Sequence, residues 1–110
     1  MARIAFVLGE DFEDIEFRTP YDGLKTRGHE IDILGAEAGV RVKGKRGEEE
    51  IEIEKAAADG KPDDYDALVI PGGYSPDHLR TSPEVVDFVR EMVRGGKWIA
   101  SICHGPQLLI

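Results

Sequence analysis

The chain has 110 residues, 41% of them hydrophobic, which is enough for one domain with a real core. Its 22 Asp and Glu against 14 Lys and Arg give a net charge of −8, so no stable nucleic-acid binding is expected. A single cysteine excludes an internal disulfide. With no secretory segment and no apolar run of membrane-spanning length, the cytoplasm is the expected compartment and no membrane partner is expected.

In chain order, Arg3 to Leu8 reads as a first buried strand ended by Gly9. Asp11 and Asp14 give a capping-box-like start to a helix reaching about Arg27, with Phe17, Tyr21 and Leu24 on one face. Pro20 is expected to interrupt and kink that helix. Gly28 closes it, and Glu30 to Leu34 makes a second strand. Val40 and Val42, then Ile51 and Ile53, alternate with polar residues around the charged turn Lys43 to Gly47, which predicts an antiparallel hairpin attached to the main sheet. Glu48-Glu49-Glu50 reads as a solvated face. Asp59 to Asp66 is a polar loop before a third strand, Ala67 to Ile70, ended by Pro71-Gly72-Gly73. Ser82 caps the next helix, Pro83 opens it, and Val85, Val86, Phe88, Val89, Met92 and Val93 form its apolar stripe up to Gly95-Gly96. Strands alternating with helices predict a flavodoxin-like, doubly wound, mostly parallel α/β sheet.

The last stretch carries the chemistry. Trp98 to Ile102 is a short buried strand, then Cys103-His104-Gly105-Pro106 turns into a helix beginning at Gln107. Gly105 permits the tight turn, and Pro106 suits the first helical turn. A thiol there faces the positive end of the helix, which lowers its pKa toward the reactive thiolate. A lone cysteine is ordinarily a small buried hydrophobe; the strand–Cys–His–Gly–Pro–helix context points instead to a nucleophile elbow carrying sulfur. The helix stops at Ile110 after barely one turn with no C-cap, so residues 1–110 are expected to be one α/β domain incomplete at its C-terminus.

Ligands in such sheets bind beyond the carboxyl ends of the strands. Three loops reach that rim: Gly9 to Asp14 with its carboxylates, Gly72 to His78 with paired glycines whose N–H groups can point inward, and Cys103-His104. A nucleophile, carboxylates, an oxyanion hole and a base therefore converge. Cys103, His78 and His104 lack any recognised zinc spacing, so no metal is expected, nor any cofactor. His29, at a helix-to-strand turn, reads as structural, and His78 has no assigned role.

The elbow from Ala100 to Ile110 resembles that of PfpI-type proteins, the intracellular peptidase and deglycase branch of the parkinsonism-deglycase superfamily. Glu10 to Asp14, Gly28-His29-Glu30, Ala67 to Gly73 and Ser75-Pro76-Asp77 agree with it in order and spacing. The resemblance implies that Cys103 is the nucleophile and that Glu13 is a buried, protonated carboxyl hydrogen-bonded to the thiolate. Glu13 taken alone would be a helix-start carboxylate serving the dipole. It implies further that His104 is the imidazole of this branch. Asp77 would reach the histidine of a neighbouring subunit in a dimer or hexamer; the competing reading is that Asp77 only caps the short turn ahead of His78 and Leu79. Gly72, Gly73 and the His104 N–H would form the oxyanion site.

The expected function is a cofactor-independent cysteine hydrolase repairing glyoxal or methylglyoxal adducts on amines and thiols, with glyoxalase-like activity on the aldehyde. The alternatives are a cysteine peptidase acting on peptides with the same residues, and a non-catalytic stress sensor in which Cys103 is oxidised. A glutamine amidotransferase has a related elbow, but Ser101 stands where its first glycine would be.

Overall fold

The structure, a computed structural model, describes residues 2–72 and 79–101. Five parallel strands form the central sheet in the order β5-β2-β1-β6-β7, with β1 at Arg3–Val7, β2 at Glu30–Gly35, β5 at Lys55–Ala56, β6 at Ala67–Ile70 and β7 at Trp98–Ser101. Helix α1 (Asp14–Thr26) links β1 to β2, and helix α2 (Pro83–Arg94) precedes β7. Strands β3 (Arg41–Lys43) and β4 (Glu50–Glu52) pair antiparallel as a separate two-stranded sheet.

Alternation along β1 divides the core. Ile4, Phe6 and Leu8 point to the α1 side, where Phe17 packs edge-on to Phe6 at 5.7 Å and stacks on Tyr21 at 5.1 Å. Ala5 and Val7 point the other way, into the layer closed by Val85, Phe88, Val89 and Met92. Helices on opposite faces of one parallel sheet make the doubly wound, flavodoxin-like architecture that the strand–helix alternation predicts.

Most element expectations hold within a residue or two, and the exceptions have physical causes. The hairpin is not a continuation of the main sheet; it docks on the β1–α1 loop. Pro20 lies inside α1 without ending it. Glu13, not Asp11 or Asp14, is the N-cap residue of α1, and its side chain makes no cap bond. Ser82 does cap α2, its Oγ accepting the Val85 N–H at 3.4 Å, with Pro83 in the first turn. Val93 is 47% exposed and falls off the apolar stripe. The loop from Asp59 to Asp66 carries a short 3-10 turn at Pro62–Asp64 and ends against Tyr65, which is buried and donates its hydroxyl to Asp32 at 2.6 Å. His29 is structural as read: its Nδ1 accepts the Ala2 N–H at 3.0 Å, tying the chain start to the α1–β2 turn.

Candidate functional site

Strand β1 leads through α1 to β2 on one side of the sheet, whereas β6, its other neighbour, leads toward α2 on the opposite face. The connections therefore diverge between β1 and β6, which is the switch point where ligands bind in doubly wound sheets. One backbone bond spans that crevice: the Glu13 N–H donates to the Gly72 carbonyl at 3.1 Å. Glu13 is thus held at the carboxyl end of the sheet, and its residue exposure is only 7%.

The hairpin supplies the other wall of this site. Residues 10–12 run beside residues 43–45, with Phe12 and Gly44 forming a parallel bridge. The Asp11 N–H donates to the Lys43 carbonyl at 2.8 Å, and the Lys45 N–H to the Phe12 carbonyl at 2.8 Å. Asp11 takes φ +61°, a left-handed turn that Asp tolerates better than most residues. Asp14 completes the dock. Its Oδ1 accepts the Arg46 N–H at 2.9 Å, and its Oδ2 accepts the N–H groups of Glu48 and Glu49 at 3.0 and 2.9 Å. Burial pushes this carboxyl up, but the backbone donors of Arg46, Glu49 and Glu48 outweigh it and hold it below the ordinary aspartate value. Gly44 has to be glycine at this approach, because a Cβ there would overlap the Asp14 carboxylate. Arg18 adds a forked clamp from α1, its Nε and Nη2 reaching Glu49 Oε2 and Oε1 at 3.1 and 2.8 Å. Glu49 is therefore a docking residue, which corrects the reading of 48–50 as a solvated face.

The docked tip places two cations on Glu13. Arg46 Nε donates to Oε1 at 2.6 Å, and Lys45 Nζ lies 3.1 Å from Oε2. The Arg46 hydrogen bond, helped by Lys45, overcomes burial and holds the Glu13 carboxyl below the usual carboxylate range. Cys103, which the expected protonated carboxyl would face, lies outside the described residues. Gly72, one of the expected oxyanion donors, gives its N–H to Glu16 Oε1 at 3.1 Å. Of the expected oxyanion donors, Gly73 and His104 lie outside the described residues, as do Cys103 and Asp77. Strand β7 ends at Ser101, two residues before Cys103 in sequence, on the parallel neighbour of β6.

Sequence reasoning missed Gly44, Lys45, Arg46 and the Asp14 dock. The available signal was charge complementarity: Glu10, Asp11, Glu13 and Asp14 crowd one loop, while Lys43, Lys45 and Arg46 crowd the hairpin turn. Four neighbouring carboxylates need such a counterpart.

A parallel, doubly wound α/β sheet with a carboxylate clamped at its switch point defines a flavodoxin-like domain of the DJ-1/ThiJ/PfpI type. The chain belongs to the DJ-1/PfpI family, whose model matches residues 2–110. It is 45% identical over 108 residues to "Protein/nucleic acid deglycase 2" of Escherichia coli, an alignment spanning 98% of this chain and 63% of that protein. It is 42% identical over 108 residues to "Deglycase PfpI" of Pyrococcus furiosus, spanning 98% and 64% respectively. The chain thus spans just under two thirds of the length of these curated relatives. Among solved structures, a two-domain protein of Anabaena variabilis with DJ-1/ThiJ/PfpI-like and ferritin-like domains superposes with a TM-score of 0.96 at 38% identity, over 99% of this chain and 31% of that one. Among the described residues, no helix is long and apolar enough to cross a membrane.

Proposed function

We propose that the protein is a cofactor-independent, cytoplasmic cysteine hydrolase of the deglycase type, built on a single α/β domain. The observation that carries this reading is Glu13, a charged and nearly buried carboxylate at the switch point of a DJ-1/PfpI-family sheet. The deglycase names of the two relatives support the substrate class, carbonyl adducts on amines and thiols.

In the proposed reaction the Cys103 sulfur adds to a carbonyl carbon of a methylglyoxal adduct, and Gly73 and His104 N–H groups receive the developing oxyanion. His104 and Glu13 move protons, and Asp77 of a neighbouring copy orients His104 in a dimer or hexamer. Water adds across the sequence, so adduct plus one water yields the restored amine and one hydroxy acid. The redox change is internal to the three-carbon unit, and no external oxidant is consumed.

The test is the protein incubated with a freshly formed methylglyoxal adduct of an N-blocked arginine or lysine, with lactate and recovered amine followed by proton NMR. Both products are expected in equal amounts, with Cys103→Ala at background. An active Cys103→Ala protein would overturn the reading. Cleavage of a fluorogenic peptide with the adduct left intact would replace it by a peptidase. Stoichiometric oxidation of Cys103 by peroxide with no turnover on any substrate would replace it by a sensor.

A further inference from the structure

A cavity of about 180 Å³ opens on the rim that carries the β1–α1 loop, between the carboxyl ends of β1 and β2 and the hairpin. Its floor is apolar and buried: Leu8 follows β1, Val42 belongs to β3, Ile53 follows β4, and Leu79 precedes α2. Gly35 shapes that floor. A Cβ there would meet the Leu8 carbonyl at 2.9 Å and Ile53 Cδ1 at 3.0 Å, so the glycine lets Ile53 settle against β2. The mouth is acidic, formed by the exposed Glu10 and Glu37. Glu10 is fixed in place, since its Oε1 accepts the Lys43 N–H at 3.1 Å. The Glu37 carboxylate has no ion pair or hydrogen bond among the described residues. The hairpin cations are directed elsewhere. Arg41 and Lys43 flank Val42 and so project from the opposite face of β3, Arg41 onto Glu50, while Lys45 and Arg46 end on Glu13.

We propose that this cavity is a subsite for an alkyl cation, the side chain of a lysine or arginine residue. Its stem would fill the apolar floor and its charge would lie between Glu10 and Glu37. The size fits one side chain, since pockets that enclose a whole small-molecule ligand run to roughly 300–1,000 Å³. An apolar body under a charged tip is the form of these two side chains, which bury their methylenes and keep the head in water. A neutral alkyl group would leave the two carboxylates at the mouth without a counter-charge. An anion would be repelled by them and by the net charge of −8. The inference rests on the deglycase reading for its catalytic consequence, which is that carbonyl adducts borne by cationic side chains are selected over those on thiols. Binding of the cation itself does not depend on that reading.

The experiment titrates the whole protein with butylguanidinium, pentylammonium and butylurea, followed by amide shifts in proton–nitrogen NMR. Both cations are expected to give saturable shifts at Val42, Ile53 and Leu79. Butylurea, which has the shape of butylguanidinium without its charge, is expected to bind about two- to fivefold more weakly. E37Q, a substitution at an exposed position, should remove part of that preference, and E10Q/E37Q all of it, with a glutamine oxygen still able to accept the Lys43 N–H. Shortening the alkyl chain from butyl to propyl to ethyl should weaken binding by up to about fourfold per methylene. Tighter binding of butylguanidinium assigns the subsite to arginine, and of pentylammonium to lysine; either supports it. Butylurea binding as tightly as the cations, affinity independent of chain length, or unsaturable shifts scattered over the acidic surface each overturns it. Turnover is read as the ratio of kcat/KM for the methylglyoxal adduct of a blocked arginine to that of a blocked cysteine. The ratio is expected to fall in E10Q/E37Q by the factor lost in binding, and an unchanged ratio overturns the selection of adducts. Turnover surviving in Cys103→Ala removes the hydrolase reading instead, and the cation titration still decides the subsite.

Discussion

The two faces of the sheet are held by different physics. On the α2 side, four apolar residues of one helix close over β1 and β6. On the α1 side, an aromatic cluster is capped by a hairpin that adds Val42 and Ile51 to the apolar layer and is fixed in place by directional bonds to Asp14, Arg18 and Glu13. Apolar burial is additive and non-directional, so it tolerates small displacements. The hairpin bonds are short, directional and interdependent, so they fix atoms rather than merely bringing surfaces together. The face that holds its atoms in place is the one that carries the candidate site.

Breaking the apolar side should have the largest effect. Phe88 is 3% exposed and packs edge-on to Tyr65 at 5.9 Å. Phe88→Ala is expected to lose about 3–5 kcal/mol, read as a lower urea midpoint at an unchanged slope. A loss under about 1 kcal/mol would show that the α2 layer is not the main store of stability.

Asp14→Ala should come next, at roughly 2–3 kcal/mol, since it leaves three inward-facing N–H groups without their acceptor. The loss is expected to be local: hydrogen exchange of the Arg46, Glu48 and Glu49 amides accelerates while α2 stays protected. Its pH signature has a definite sign. A carboxyl lowered on folding adds stability that is complete above its unfolded value, about 3.9 for Asp, and that is lost as pH falls through the lower folded value. The parent should therefore weaken in acid more steeply than Asp14→Asn. Equal acid slopes would mean that Asp14 is not an ionised acceptor.

The smallest effect sharpens the contrast from within the apolar side. Ser82→Ala removes the side-chain N-cap of α2 and is expected to cost about 1 kcal/mol in thermal or urea melts, with no change at the hairpin amides. Movement of those amides would mean that the two faces are not as separable as their contacts imply.

The sequence readily disclosed what local chemistry dictates. Ser82-Pro83 before a 3.6-residue apolar stripe, and four short runs rich in apolar residues, are signals confined to neighbouring residues, and α2 and strands β1, β2, β6 and β7 follow them. The same reasoning placed Glu13 on the rim, because the loop after the first strand of such a sheet ends there. It could not reach the partners of Glu13. Arg46 lies 33 residues away, and the turn that presents it looks from sequence like any charged surface turn. Nor could it foresee that the Gly72 N–H is occupied, since Glu16 reaches it across 56 residues. Short-range pattern reveals elements; the pairing of charges across the fold depends on which loops the topology brings together.

Trp98 turns the sheet into its own optical gauge. It is the chain's single tryptophan, it opens β7, and it is 83% exposed. An indole so wetted emits at the red end of its range, and its quantum yield is open to aqueous quenchers such as iodide. Hairpin variants at Asp14 or Arg46 act on the opposite side of β1 and should leave that emission alone. Anything that covers β7, whether additional polypeptide or another copy of the chain, would shift the spectrum to the blue and shield it from iodide, so one unlabelled fluorescence scan distinguishes events at that edge from events at the carboxylate.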